Sequence, residues 1–167
     1  MQIIKFIGIA GFVICLYIMY ATNHGVKGLR SYDPNFKLLD MRFHYNAADV
    51  TETFTKLGER GRTAYQNFWV LDFFFITCFI VVQIAIVNSI DMINPIRNGL
   101  LILSILRAVF DIAENSMLIY LIKKYPTQNN QLVTMCSWVT TSKFVVLDFW
   151  YLGVGGVLLY LLIKKIV

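Results

Sequence analysis

Charge is what this sequence has least of. Asp, Glu, Lys and Arg together make up 15% of its 167 residues, against about 25% in a soluble globular domain. Histidine (2), proline (3) and cysteine (3) are also scarce. His24 and His44 have no second histidine at ligand spacing, so no metal centre is expected. Cys15, Cys78 and Cys136 lie in or beside apolar stretches and form no C-x-x-C pair. That argues against a disulfide framework and a quinone-linked dithiol site; they read as small apolar packing residues. No Ser–His–Asp order, G-x-S-x-G, H-E-x-x-H, phosphate loop or glycosidase carboxylate pair is present. No cofactor is expected. The net charge of +5 invites a nucleic-acid partner, but the placement of the bases argues against one. Lys123, Lys124, Lys164 and Lys165 flank apolar runs, as membrane anchors do, and no basic stripe interleaved with aromatics appears.

Apolar residues fill the space that charge leaves. They are 57% of the chain, and the mean hydropathy is +0.62. Four long runs account for this, at 3–21, 68–90, 99–122 and 132–163. Each reaches the roughly 20 residues needed to cross a bilayer core. Only a helix can do so as an open chain, because lipid offers no partner to a bare N–H or C=O. The expected fold is an all-α membrane protein: a four-transmembrane-helix bundle forming a single membrane domain over 1–167, with a structured loop over 22–67 between the first two spans. The first run outlasts a signal core of about 7–15 residues and ends in bulky side chains, so it reads as a retained span.

An even number of spans puts both termini on one side. The loop 22–67 and the connection 123–131 then share the other, here the loop end. Counting Lys and Arg places the loop end in the cytoplasm, whereas the C-terminal KKIV looks like a cytoplasmic tail; orientation stays open. The membrane expected is the bacterial cytoplasmic membrane, or the endoplasmic reticulum in a eukaryote.

Within the loop, "LDMRFHY" alternates, with Leu39, Met41, Phe43 and Tyr45 on one side. This predicts an extended segment with that face buried. In "NAADVTETFTKLG", Asn46 can cap a helix, with Asp49 in its first turn. Val50, Phe54 and Leu57 form an apolar stripe, and Gly58 is a natural stop. A short amphipathic helix on the membrane surface is expected here.

The third run carries "ILRAVFDIAENSMLIY", in which Arg107, Asp111, Glu114 and Asn115 share one helical stripe. A charge at mid-bilayer costs at least about 2.5–3.5 kcal/mol, so the stripe must face the bundle. The second run adds Asp72, and the fourth adds Lys143 and Asp148. Five of these six charges converge toward the loop end. Four acids face two bases, which leaves two acids needing a proton, water or a cationic partner.

Several of these residues carry a resemblance. "DMRFHYNAADVTETFTKLGERGRTAY", Asp72, "FDIAEN", a following "YP", and Thr141-Ser142-Lys143 are similar to a family of small four-helix membrane proteins of bacteria and some microbial eukaryotes. Its pattern is D-x-R-F, L-G-x-x-G-R-x-x-Y, an aspartate in span two, D-x-x-E-N in span three and a lysine opening span four. The matching positions are Asp40, Arg42, Gly58, Gly61, Arg62, Tyr65, Asp72, Asp111, Glu114, Asn115, Tyr125, Pro126 and Lys143. Lys143-Phe144 departs from the lysine–tryptophan of the pattern. The resemblance implies the four-helix fold and which residues matter; it implies no activity. The layout also resembles that of EXPERA-type sterol isomerases and vitamin K reductases. The reductase cysteine pair and the isomerase histidine–glutamate arrangement are both missing.

The reading that follows is a membrane protein with a buried polar pocket for a lipid or amphipathic small molecule. Asp72, Arg107, Asp111, Glu114, Asn115 and Lys143 would bind it, with Asp40, Arg42, Arg62 and Tyr65 at the mouth. Two alternatives stand beside it. One is a membrane enzyme using Asp111 or Glu114 as acid–base on a lipidic substrate. The other is a scaffold or assembly subunit with a salt-bridge lattice, meeting a second copy or a partner membrane protein.

Overall fold

A computed structural model describes residues 2–166. It is all-helical, with no strand among the described residues. The main elements are α1 (Gln2–Ala21), α2 (Val26–Leu29), a 3-10 turn (Leu39–Met41), α3 (Ala47–Ser89), α4 (Asn94–Lys124) and α5 (Asn130–Ile166). Three helical stretches are long and apolar enough to cross a membrane: residues 2–29, α3 and α5. The four apolar runs each fall within one long helix.

The helix boundaries follow local chemistry. The Asn46 side chain accepts from the N–H groups of Ala48 and Asp49, while Asp49 accepts from Asn46 N–H at 2.8 Å. This reciprocal cap satisfies N–H groups that a helix start leaves unpaired. Pro95 sits in the first turn of α4, where it has no bond to lose. Lys123 and Lys124 occupy the last turn of α4, at the negative end of its dipole. Gly58 interrupts α3 with φ 63° and ψ −177°, a conformation essentially reserved for glycine. It separates an amphipathic segment, with Val50, Phe54 and Leu57 buried, from the long apolar part of the helix.

α1 packs on α3, α3 on α4, and α4 on α5. The α1–α3 contact is close: a Cβ added to Gly8 would lie 2.3 Å from Val81 Cγ1. Phe12 stacks on Phe75 at 5.3 Å and meets Phe79 at 5.1 Å. The outer face of α1 is bare, with Ile3, Ile7, Val13 and Tyr17 all more than half exposed.

At the loop end, Val26, Leu29, Phe36, Leu38, Leu39 and Tyr45 plug the bundle. They join one core with Val50, Phe54, Leu57, Tyr65, Phe68, Trp69, Leu118 and Val133. The extended segment expected over 39–45 is not what forms. Leu39–Met41 is a 3-10 turn, Asp40 is buried, and Met41 and Phe43 are exposed. The turn points two adjacent residues, Leu39 and Asp40, inward, which strict alternation cannot do. The polar backbone it exposes is caught instead. Tyr65 Oη accepts from Leu39 N–H at 2.8 Å, Lys143 Nζ donates to the Asp40 carbonyl at 3.1 Å, and Thr141 donates to the Phe43 carbonyl at 2.6 Å.

Candidate functional site

The polar stripe of α4 faces the bundle. Arg107, Asp111, Glu114 and Asn115 are each at most 5% exposed. Lys143, from α5, stands at the centre. Its ammonium donates to Asp111 Oδ1 at 3.1 Å, to Glu114 Oε2 at 2.5 Å and to the Asp40 carbonyl, using all three protons. Arg107 Nη1 donates to Asp111 Oδ2 at 2.8 Å, and the Phe79 ring lies 4.3 Å from its guanidinium carbon. Arg107, Asp111, Lys143 and Glu114 thus form one continuous ion-pair chain across α4 and α5.

Glu114 is held on its other oxygen by Thr140 Oγ1 at 2.5 Å. Thr140 in turn lies 3.2 Å from Tyr45 Oη, which donates to Cys136 Sγ at 3.0 Å. Tyr45 N–H donates to Ser137 Oγ, whose hydroxyl also meets His44 Nδ1 at 2.9 Å. The loop is therefore stitched to α5 along residues 136–141. Burial pushes the phenol of Tyr45 up from its ordinary value, so it stays a neutral donor.

Two buried acids are outside the chain. Asp72 accepts from Asn115 Nδ2 at 2.6 Å through Oδ2. Asp40 accepts from Tyr65 Oη at 3.3 Å through Oδ1. Neither carboxylate makes an ion pair among the described residues. Burial raises the Asp40 carboxyl above its ordinary value, against the opposing pull of Lys143.

Asp40, Asp72 and Asp111 line a cavity of about 170 Å³ together with Arg107 and Lys143. Its walls are apolar: Leu16, Met19 and Tyr20 from α1, Phe75 and Phe79 from α3, Phe144 and Leu147 from α5, and Leu38 and Met41 above. A groove of about 700 Å³ at the opposite end, between Ile93 and Leu161, is larger but lined mainly by apolar groups.

The cavity brings together Asp72, Arg107, Asp111 and Lys143, with Asp40 beside them. The other expected positions fall elsewhere. Glu114 and Asn115 stand behind it, holding Lys143 and Asp72. Tyr65 is fully buried and supports Asp40 from within rather than at a mouth. Arg62 is away from it, donating to the Phe54 carbonyl at the α3 break and covering the Tyr125 ring. Arg42 lines a separate recess. Asp148 is on the exposed side of α5. The sequence reading missed Thr140, Tyr45 and Phe79. Cys136, Thr140 and Lys143 stand at i, i+4 and i+7, so the lysine's own helical stripe pointed to Thr140. Phe79 had no such signal, and Tyr45 was marked only as part of the buried face of the loop.

No protein-family model, curated protein or solved structure matches the chain.

Proposed function

We propose that this is a four-span membrane protein whose loop-end cavity binds a lipid or amphipathic small molecule by a cationic or hydroxyl-bearing headgroup. α4 is the fourth span. Between Leu100 and Ile122 its charged side chains, Arg107, Asp111 and Glu114, are all buried, while Ile102, Ile105, Val109 and Ile112 face outward. At 31 residues it extends about 46 Å, more than a bilayer core. The segment ahead of Gly58 then lies at the membrane surface.

One observation carries the binding reading. The cavity keeps an excess of buried acid after its ion pairs are made. Asp40, Asp72, Asp111 and Glu114 stand against Arg107 and Lys143, and the two acids without a cation, Asp40 and Asp72, both line the cavity. An intramembrane acid lacking a cation is a functional-site signature. The apolar walls from α1 and α5 suit a tail, and the acidic floor suits a donor. A volume of about 170 Å³ is below the roughly 300 Å³ of a drug-sized pocket, so a headgroup enters and the tail stays between the helices.

The test is thermal unfolding in detergent with long-chain alkylamines, alkanols and alkyl sulfates. A saturating amine or alkanol should raise Tm by about 5–10 °C, and the sulfate should not. The gain should vanish in Asp72→Asn. No shift with any amine or alkanol, or the same shift in Asp72→Asn, contradicts the proposal.

A scaffold reading is favoured by a different observation, the direct ion pairing of Arg107, Asp111, Lys143 and Glu114. That chain fixes the register of α4 against α5 and can coexist with a ligand held on Asp40 and Asp72. Acid–base catalysis by Glu114 draws no support from this geometry, because both its oxygens are occupied and it does not line the cavity.

A further inference from the structure

A second recess, of about 510 Å³, opens at the loop end beside the last turn of α1. Lys27, Arg30, Lys37 and Arg42 line it, and no acid does. None of the four makes an ion pair among the described residues. The acids nearest in sequence are engaged elsewhere: Asp33 has Oδ1 bonded to Asn35 N–H at 3.0 Å, closing its own turn, and Asp40 is buried and accepts from Tyr65 Oη. Arg42 is tied down. Its Nη2 donates to the Lys37 carbonyl at 3.2 Å and approaches Thr53 Oγ1 at 3.4 Å, while its buried Nε–H has no partner. The floor is apolar and firm, with Val26, Phe36 and Leu38 buried. Four bases without a counter-charge around an apolar floor repel one another unless an anion joins them.

We propose that this recess binds a phosphate-bearing anion, and that the phosphate is the headgroup of an anionic phospholipid. The chemistry of phosphate recognition is shared with a free phosphate ion; position separates the two. Tyr20 belongs both to the recess and to α1, whose outer face is apolar and bare. A phosphate among the bases is therefore continuous with acyl chains along α1, at the height where interfacial lysines and arginines meet acidic headgroups. The inference does not depend on the cavity reading, because it rests on other charged residues, of the opposite sign.

The experiment measures lipid retention by native mass spectrometry and Tm in detergent. The wild type is compared with Lys27→Ala/Arg30→Ala/Lys37→Ala, three exposed positions whose loss leaves the core intact. Arg42 is kept because it holds the turn. A control, Lys123→Ala/Lys124→Ala, removes charge at the same end outside the recess. Phosphatidylglycerol should bind the wild type in preference to phosphatidylcholine. The triple variant should lose about a hundredfold in apparent affinity, and the control should lose little. Equal binding of the two lipids, an unaffected triple variant, or an equal loss in the control overturns the site. Inorganic phosphate giving the whole stabilisation, with phosphatidylglycerol adding nothing, overturns the lipid assignment.

Discussion

Two recesses meet at Tyr20, Leu38 and Met41, and they are opposite in charge and in construction. The inner one is built by helices. Its charges come from α3, α4 and α5 and the turn above them, and most are locked to one another. The outer one is built by loop and α2, and its bases make no ion pair among the described residues. The difference follows from what surrounds each. A charge inside the bundle must be partnered, because the cost of leaving it bare is several kcal/mol. A charge at the interface can rely on water and lipid phosphate. The same residue types are thus ion-paired in one recess and without an ion pair among the described residues in the other.

The comparison breaks most visibly at Lys143. Lys143→Met leaves Glu114 without its cation and Asp111 with Arg107 alone, and removing one partner of a buried pair costs about 3–5 kcal/mol. Most of the monodisperse peak on fluorescence size exclusion should be lost. Adding Glu114→Gln should restore much of it, since a neutral group of similar shape needs no cation and Asp111 keeps Arg107. Failure of the combined variant would mean that Lys143 does more than neutralise. In the outer recess the corresponding triple removal should leave stability near wild type.

A smaller effect is expected at the break in α3. Gly58→Ala forces an L side chain into a glycine-only conformation, at a cost of about 1–3 kcal/mol. Gly99 has open space around its Cβ position and lies within α4; Gly99→Ala should cost nothing or stabilise slightly. Thermal unfolding of the two variants distinguishes backbone strain from loss of a small residue. Equal Tm values would remove the role assigned to Gly58.

The mildest prediction concerns pH. Burial raises the folded-state carboxyl of Asp40 above its unfolded value. Its contribution to stability is therefore fully present below the unfolded value, about pH 4, and is lost as pH rises through the raised value. Asp40→Asn should flatten that part of the Tm–pH curve while lowering Tm little at acidic pH. An unchanged slope in Asp40→Asn would place the pH dependence elsewhere.

Much of this was legible in the sequence. Hydropathy marked the four runs, Asn46 and Asp49 announced the cap, and the 3.6-residue spacing put Arg107, Asp111, Glu114 and Asn115 on one face. Three things were not legible, each for a physical reason. The alternation over 39–45 was misleading because a 3-10 turn, fixed by Tyr65 and Lys143 from far along the chain, turns Asp40 inward. Arg42 and Arg62 were both placed at the mouth, but Arg62 donates to the Phe54 carbonyl at the α3 break and Arg42 lines the outer recess. The pairing of acids with bases depends on rotamers reaching between helices, so Lys143 taking both Asp111 and Glu114 could not be derived from spacing. Counting acids against bases did anticipate an excess. It named Asp148 among the acids, where the structure puts Asp40.

The central claim is that the inner cavity holds a ligand headgroup on the acids the lattice leaves over. An experimental density map at side-chain resolution, from protein extracted with its native lipids, tests it most directly. The account predicts non-protein density against Asp40 and Asp72, continuing between α1 and α5, with Lys143 still on Asp111 and Glu114. A cavity closed by its own side chains, with Asp40 and Asp72 drawn onto Arg107 or Lys143, would contradict it.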